Sequence, residues 1–170
     1  MTRALAALAL SLALSVGAVP WWGPLDSPAH AEEWGNIEPG VSTMDQVRER
    51  FGAPSKETKA KVDNYDTSQW VYDDARAPSG FQRMTVEYGL LTPQGYKPSV
   101  VRVLRLEPKE KIFGKNTVLQ AFGYPDGMRV ENEQNSYFYQ SGLIVTFDKE
   151  DEWAVLLNFM MPQPDVPPKR

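Results

Sequence analysis

The sequence predicts an α+β protein: two tandem αβ units, each a helix packed on an antiparallel β-meander. Three observations predict it. Residues 40–54 carry helix start and stop signals, three strand-like segments follow, and the same order of helix and strands returns at an offset of 71 residues. A helix that precedes a run of hairpin-like strands is the pattern of segregated α+β architecture. The chain divides into a targeting segment (1–31), a first unit (32–108), a second, weaker unit (109–161) and a polar, proline-rich tail (162–170).

The targeting segment reads as a secretory signal. Arg3 supplies a short positive start, and an apolar run extends from Ala4 to Val19, broken by Ser11, Ser15 and Gly17. Ala29-His30-Ala31 forms an A-x-A cleavage site before Glu32, and Val16-Gly17-Ala18 forms a second one. The first site is preferred, because the stretch 20–28 reads as a long polar-side region. The run falls short of the ~20 residues that a spanning helix needs. The expected location is periplasmic or secreted.

In the first unit, Ser42 or Thr43 can cap a helix, with Asp45 and Gln46 three residues on as in a capping box. Met44, Val47 and Phe51 fall on one helical face. Arg48 and Arg50 suit the negative end of the helix dipole, Gly52 suits a C-terminal cap, and Pro54 stops continuation. Lys56 to Asp66 reads as a charged loop. Strands are predicted at Gln69–Tyr72, Phe81–Tyr88 and Val100–Leu106, with turn-rich connectors at 73–80 and 92–99. In the middle strand Met84, Val86 and Tyr88 alternate with Arg83, Thr85 and Glu87.

The second unit repeats this order. Val118, Phe122, Gly123 and Pro125 match Val47, Phe51, Gly52 and Pro54, although Gly114 replaces Thr43 at the helix start. Tyr137-Phe138-Tyr139, Leu143–Phe147 and Trp153–Met161 are its predicted strands. The tail, PQPDVPPKR, reads as disordered.

Gly40, Val41, Thr43, Val47, Phe51, Gly52 and Pro54, then Trp70, Tyr72, Val86 and Tyr88, form an ordered motif over about 39–107. In this motif the chain resembles the SmpA/OmlA (BamE-like) family. The tandem arrangement resembles the β-lactamase-inhibitor-protein architecture, whose two sheets present a concave, aromatic-rich protein-binding face. The resemblance implies a non-enzymatic module acting in outer-membrane protein assembly or maintenance in the cell envelope. The alternative it implies is a secreted or periplasmic inhibitor of an enzyme such as a β-lactamase or another hydrolase. The motif residues Gly40, Val47, Phe51, Gly52, Pro54, Trp70 and Tyr72 read as structural. The chain has no cysteine, so the lipid anchor found on members of the family is not carried over.

The composition narrows the chemistry. With 18 basic and 22 acidic residues the net charge is −4, unlike the basic footprint of a nucleic-acid coat. The absence of cysteine excludes disulfides, thiolate nucleophiles and Cys-ligated metal sites. Cleavage after Ala31 removes 31 of the 170 residues, leaves 139 and takes away His30, the sole histidine. Histidine-dependent triads and metal sites then fall away, and carboxylate, lysine or tyrosine chemistry stays open. No catalytic, cofactor or metal residue is assigned.

The candidate contact residues are Tyr96, in the turn-rich TPQGYKPS segment, and Tyr137 and Tyr139, which flank Phe138 in a strand with aromatics on both faces. Tyr96 reads equally well as folded back on its own hairpin. Asp73-Asp74 and Glu150-Asp151-Glu152 read as solvated turns, and Lys109, Lys111 and Lys115 as a solvated linker. A transient contact of that basic run with a membrane surface stays open.

Overall fold

The computed structural model describes residues 32–162. The targeting segment and residues 163–170 of the tail lie outside them. The chain runs α1 (Met44–Phe51), β1 (Lys56–Val62), β2 (Tyr65–Asp73), β3 (Phe81–Thr92), β4 (Gly95–Pro108), α2 (Lys115–Phe122), β5 (Gly127–Glu131), β6 (Gln134–Phe138), β7 (Leu143–Phe147) and β8 (Ala154–Met160). All eight strands form one antiparallel sheet, in the order β1-β2-β3-β4-β8-β7-β6-β5.

This corrects the expected fold class. A helix followed by strands does occur twice along the chain, but the strands do not make two separate meanders under two helices. The molecule is mainly one sheet, with two eight-residue helices on one face. The cause lies in β4 and β8. Each has large apolar side chains on the helix side and, standing alone, would expose an unpaired backbone edge. Pairing Leu104 with Phe159 and Leu106 with Leu157 removes both edges and buries all four side chains.

Two strands that the sequence reading missed complete the sheet. The segment read as a charged loop is the β1–β2 hairpin, and β5 is likewise absent from the predicted strands. Both are edge strands. Every residue of β1 is exposed, and its alternation of Thr58, Ala60 and Val62 with Glu57, Lys59 and Lys61 has too little apolar bulk to mark a strand. The connector expected at 92–99 is the tip of the β3–β4 hairpin, which closes at Thr92 and Gly95.

Directly paired residues of antiparallel strands share a face. One continuous row runs Trp70, Val86, Leu104, Phe159 and Leu143; the next runs Tyr72, Met84, Leu106, Leu157, Val145 and Tyr137. All of these are buried, and they form the core beneath the helices. Val47 of α1 and Val118 of α2 are buried against it, with Met44, Phe51, Leu119 and Phe122 partly buried alongside. Trp34 stacks on Phe51 at 5.7 Å and meets Phe81 edge-on at 5.2 Å. The segment before α1 therefore lies on the same side.

The two helices end in the same way, though only α1 has a side-chain cap at its start. At α1, Gln46 Oε1 accepts the Thr43 N–H at 2.8 Å, the return half of a capping box. At the other end Gly52 has φ +79°, where a β-carbon is disfavoured, and its N–H donates to Arg48. Gly123 ends α2 with the same φ of +79°. The Tyr72 hydroxyl donates to the Gly52 carbonyl at 3.1 Å, and the Tyr139 hydroxyl donates to the Gly123 carbonyl at 3.2 Å.

Candidate protein-binding face

Alternation along each strand sends every second side chain away from the helices. One row on that opposite face crosses all eight strands: Lys56, Val71, Thr85, Arg105, Asn158, Ile144, Phe138 and Gly127. Among the described residues no helix covers it.

An ion network occupies the middle of this face. Glu87 Oε1 meets Arg105 at 2.9 Å, and Glu87 Oε2 meets Arg102 at 2.8 Å. Arg105 Nε also donates to Asn158 Oδ1 at 3.1 Å, across the β4–β8 seam. Arg102 reaches Glu87 because the β3–β4 register shifts between Glu87 and Tyr88. The Glu87 side chain is only 15% exposed, so both guanidinium groups are held in fixed positions while each stays more than 40% exposed. Next to the network Arg83 pairs with Glu107 at 3.5 Å.

The network has an aromatic group at either end. At the first-half end, Tyr96 packs on Tyr65 with ring centroids 4.5 Å apart, and its hydroxyl donates to the Asp66 carbonyl. Its ring lies across Gly89, whose φ is +100°; a β-carbon there would collide with the Tyr96 hydroxyl. At the second-half end, the Arg129 guanidinium stands 5.7 Å from the Phe138 ring. Between them lie half-buried Val71, Val103, Ile144, Leu156 and Met160 and the paired hydroxyls of Ser136 and Thr146, 3.0 Å apart.

The three tyrosines singled out from the sequence separate here. Tyr96 is on the open face, half-buried and folded onto its own hairpin. Tyr137 and Tyr139 belong to the core, 3% and 9% exposed, and this corrects their reading as surface anchors. Tyr137 packs on Phe147 at 4.8 Å and Tyr139 against Phe122 at 6.2 Å. α2 covers the aromatic side that the alternation of β6 left to be placed, and only Phe138 faces outward. The expected aromatic-rich face is therefore mainly polar, with its aromatics at the ends.

The motif residues hold the fold together. Gly40 donates its N–H to Val101 and lies against Met161. Trp70 packs edge-on to Tyr88 at 4.9 Å with Arg48 above its ring at 4.8 Å. Pro54 follows the end of α1, and its carbonyl accepts from Arg76 at 2.7 Å. Burial pushes the Tyr72 hydroxyl up to about 12, against the opposing pull of Arg48. Burial raises Tyr88 further, with Tyr72 adding to it.

The acidic and basic runs have structural partners. Ser55 Oγ accepts the Asp73 N–H at 3.1 Å. Asp148 Oδ1 accepts the N–H groups of Glu152 and Trp153 at 2.9 and 3.2 Å, closing the turn that holds Glu150 and Asp151. Lys115 is the first residue of α2, not free linker, and pairs with Asp151. Its hydrogen bonds to Asp151 and then Tyr137 raise its pKa. Among the described residues no group of three or more His, Cys, Asp or Glu side chains stands close enough to hold a metal ion. No described helix is long and apolar enough to cross a membrane.

Sequence reasoning did not assemble the network of Glu87, Arg102, Arg105 and Asn158. Its signal was present in part, as the polar phase Arg83, Thr85 and Glu87 between Met84, Val86 and Tyr88. What joins it to Asn158 is the pairing of β4 with β8, which no local pattern encodes.

No known protein-family model matches the chain, and no curated protein matches it either. Among solved structures it is similar to YjgB, a DUF4309 family protein from Bacillus subtilis subsp. subtilis str. 168, at 14% identity and a TM-score of 0.49. The match covers 78% of this chain and 88% of that one.

Proposed function

We propose that this protein is an exported, non-enzymatic binding module that holds a protein partner of the cell envelope against the open face of its sheet. The observation that carries this reading is the face itself. Seven inter-strand spacings of about 4.8 Å make it about 34 Å wide. Its strands run from five to fourteen residues; at an average length of about 27 Å they give it an area on the order of 900 Å², the size one side of a standard protein interface requires. Its arginines are already positioned by Glu87 and Asn158, so docking orders few side chains. Arginine and tyrosine are the side chains most often found to dominate binding energy. The family resemblance supports outer-membrane protein assembly or maintenance as the setting.

A second reading, inhibition of a soluble hydrolase, is favoured by one feature. The face is unbroken across the β4–β8 seam, as a single rigid epitope for one enzyme would be.

The test is photocrosslinking in the envelope of the native host, with the reactive group at Gln69 or Thr146 on the open face and, as a control, at Glu49 on α1. Outer-membrane assembly proteins should be enriched from the open-face positions only. Arg105→Ala and Tyr96→Ala should each weaken capture about tenfold, the effect of losing a dominant contact. One soluble hydrolase in their place would establish the second reading. An identical set from Glu49 would overturn both.

A further inference from the structure

The sheet ends in two hairpins of the same design, and they differ where it matters for association. β1–β2 turns through Asp63 and Asn64 with φ of 47° and 69°; β5–β6 turns through Asn132 and Glu133 with φ of 51° and 64°. Positive φ at both central residues fits the two-residue type I′ turn. In such a hairpin the residues flanking the turn exchange both hydrogen bonds, and the pattern then alternates. The backbone groups left pointing outward therefore belong to Glu57, Lys59 and Lys61 on β1, and to Met128 and Val130 on β5.

Lysine on an edge strand is a common protection against strand addition. β1 has it at both positions nearest its turn. β5 has Met128 and Val130 at the same two positions, 68% and 70% exposed, and Tyr124 close by in sequence is 88% exposed. Three large apolar side chains this open, beside unpaired backbone donors and acceptors, form an edge without protection.

The charges of β5 are self-complementary. Arg129 and Glu131 lie on its other face, and neither forms an ion pair within the described chain. If a second β5 is laid antiparallel about a two-fold axis at Val130, Val130 faces Val130 of the other copy. Arg129 then faces Glu131 in both directions. Moving the axis to Arg129 would set two arginines opposite each other, a repulsive cross-strand pair.

We propose that two copies of this chain associate edge to edge through β5, in the two-fold register centred on Val130, extending the sheet across both molecules. This contact is isologous, so it closes at two copies. It leaves the open face of each copy exposed on the same extended sheet.

Sedimentation equilibrium of the processed protein, residues 32–170, over a range of concentrations tests it. The protein should dimerise reversibly. Met128→Lys with Val130→Lys, which gives β5 the lysines of β1, should raise the dimer dissociation constant at least tenfold. Arg129→Glu alone should weaken the dimer, and Arg129→Glu with Glu131→Arg should restore it. These charge variants sit on an exposed edge and keep the test valid if the double lysine variant fails to fold. The chain has no cysteine, so Val130→Cys offers a single thiol. Facing copies about 5.5 Å apart lie within disulfide range, and it should crosslink to itself where Lys61→Cys does not. A protein that stays monomeric up to about 1 mM would overturn the proposal. So would a dimer that persists in the double lysine variant, or one indifferent to the charge exchange.

Discussion

Tyr72 and Tyr139 each do two jobs with one side chain. The ring packs against the phenylalanine of the overlying helix, at 6.2 Å in both halves, and the hydroxyl donates to the carbonyl of the glycine that ends that helix. The arrangement explains why an aromatic at this place is a tyrosine and why its helix ends in glycine. It also explains why Tyr139 reads as a surface anchor in the sequence: a polar tip in an aromatic strand looks the same whether it meets solvent or a helix end. Tyr72→Phe keeps the ring and leaves the Gly52 carbonyl without its donor. It should cost about 1 kcal/mol at neutral pH, read as a lower urea midpoint at unchanged slope. The pH dependence has a definite sign. Burial raises the folded Tyr72 pKa to about 12, above the unfolded value of 10.0. Its contribution is full below about pH 10 and is lost as pH rises toward about 12, because the unfolded chain releases the proton first. The gap between wild type and Tyr72→Phe should therefore narrow above about pH 10. A constant gap would mean that the Tyr72 hydroxyl titrates alike in the folded and the unfolded chain.

Legibility at the scale of elements followed burial. α1 was readable to its caps, because Thr43, Gln46, Gly52 and Pro54 each carry a local signal. β7 was readable to the residue, since its side chains alternate between buried and half-buried. β1 and β5 were not, since each shows only a short, weak alternation, Ala60 and Val62 among lysines and Met128 and Val130 among charges, with no buried side to extend it. Their identity as strands rests on backbone pairing to β2 and β6, and on turn residues that a loop would carry equally well. On this view Lys59 and Lys61 are there to keep β1 from pairing onward, and their removal should show it. Lys59→Met with Lys61→Val, which copies β5 onto β1, should leave the fold unchanged by circular dichroism and add a second, concentration-dependent association. Because both edges could then pair, the species should grow beyond two copies, which light scattering would detect. Association no stronger than in wild type would mean that the lysines do not protect this edge.

At the scale of the whole molecule, the sheet is where local reading failed, and the reason is physical. Repeated helix-and-strand order fixes what each half contains but not whether the two last strands meet. That choice is made by side chains about 50 residues apart in sequence, Leu104 with Phe159 and Leu106 with Leu157, which are apolar whether they face a helix or a seam. The same pairing builds the open face, because Arg105 on β4 reaches Asn158 on β8 only across it. A sheet joined in this way should unfold as one cooperative unit, not as two. Leu106 is fully buried at the seam, and Leu106→Ala should cost about 2–5 kcal/mol. Hydrogen exchange then separates the alternatives. In one cooperative sheet, amides of β2 and β7 lose protection together, by about one and a half to three and a half orders of magnitude, since each factor of ten is about 1.4 kcal/mol. If the two halves were separable, β2 would lose protection and β7 would keep it. The open face would then be a hinged surface of two parts, and a single partner spanning Tyr96 and Phe138 would have to hold the halves in register as it bound.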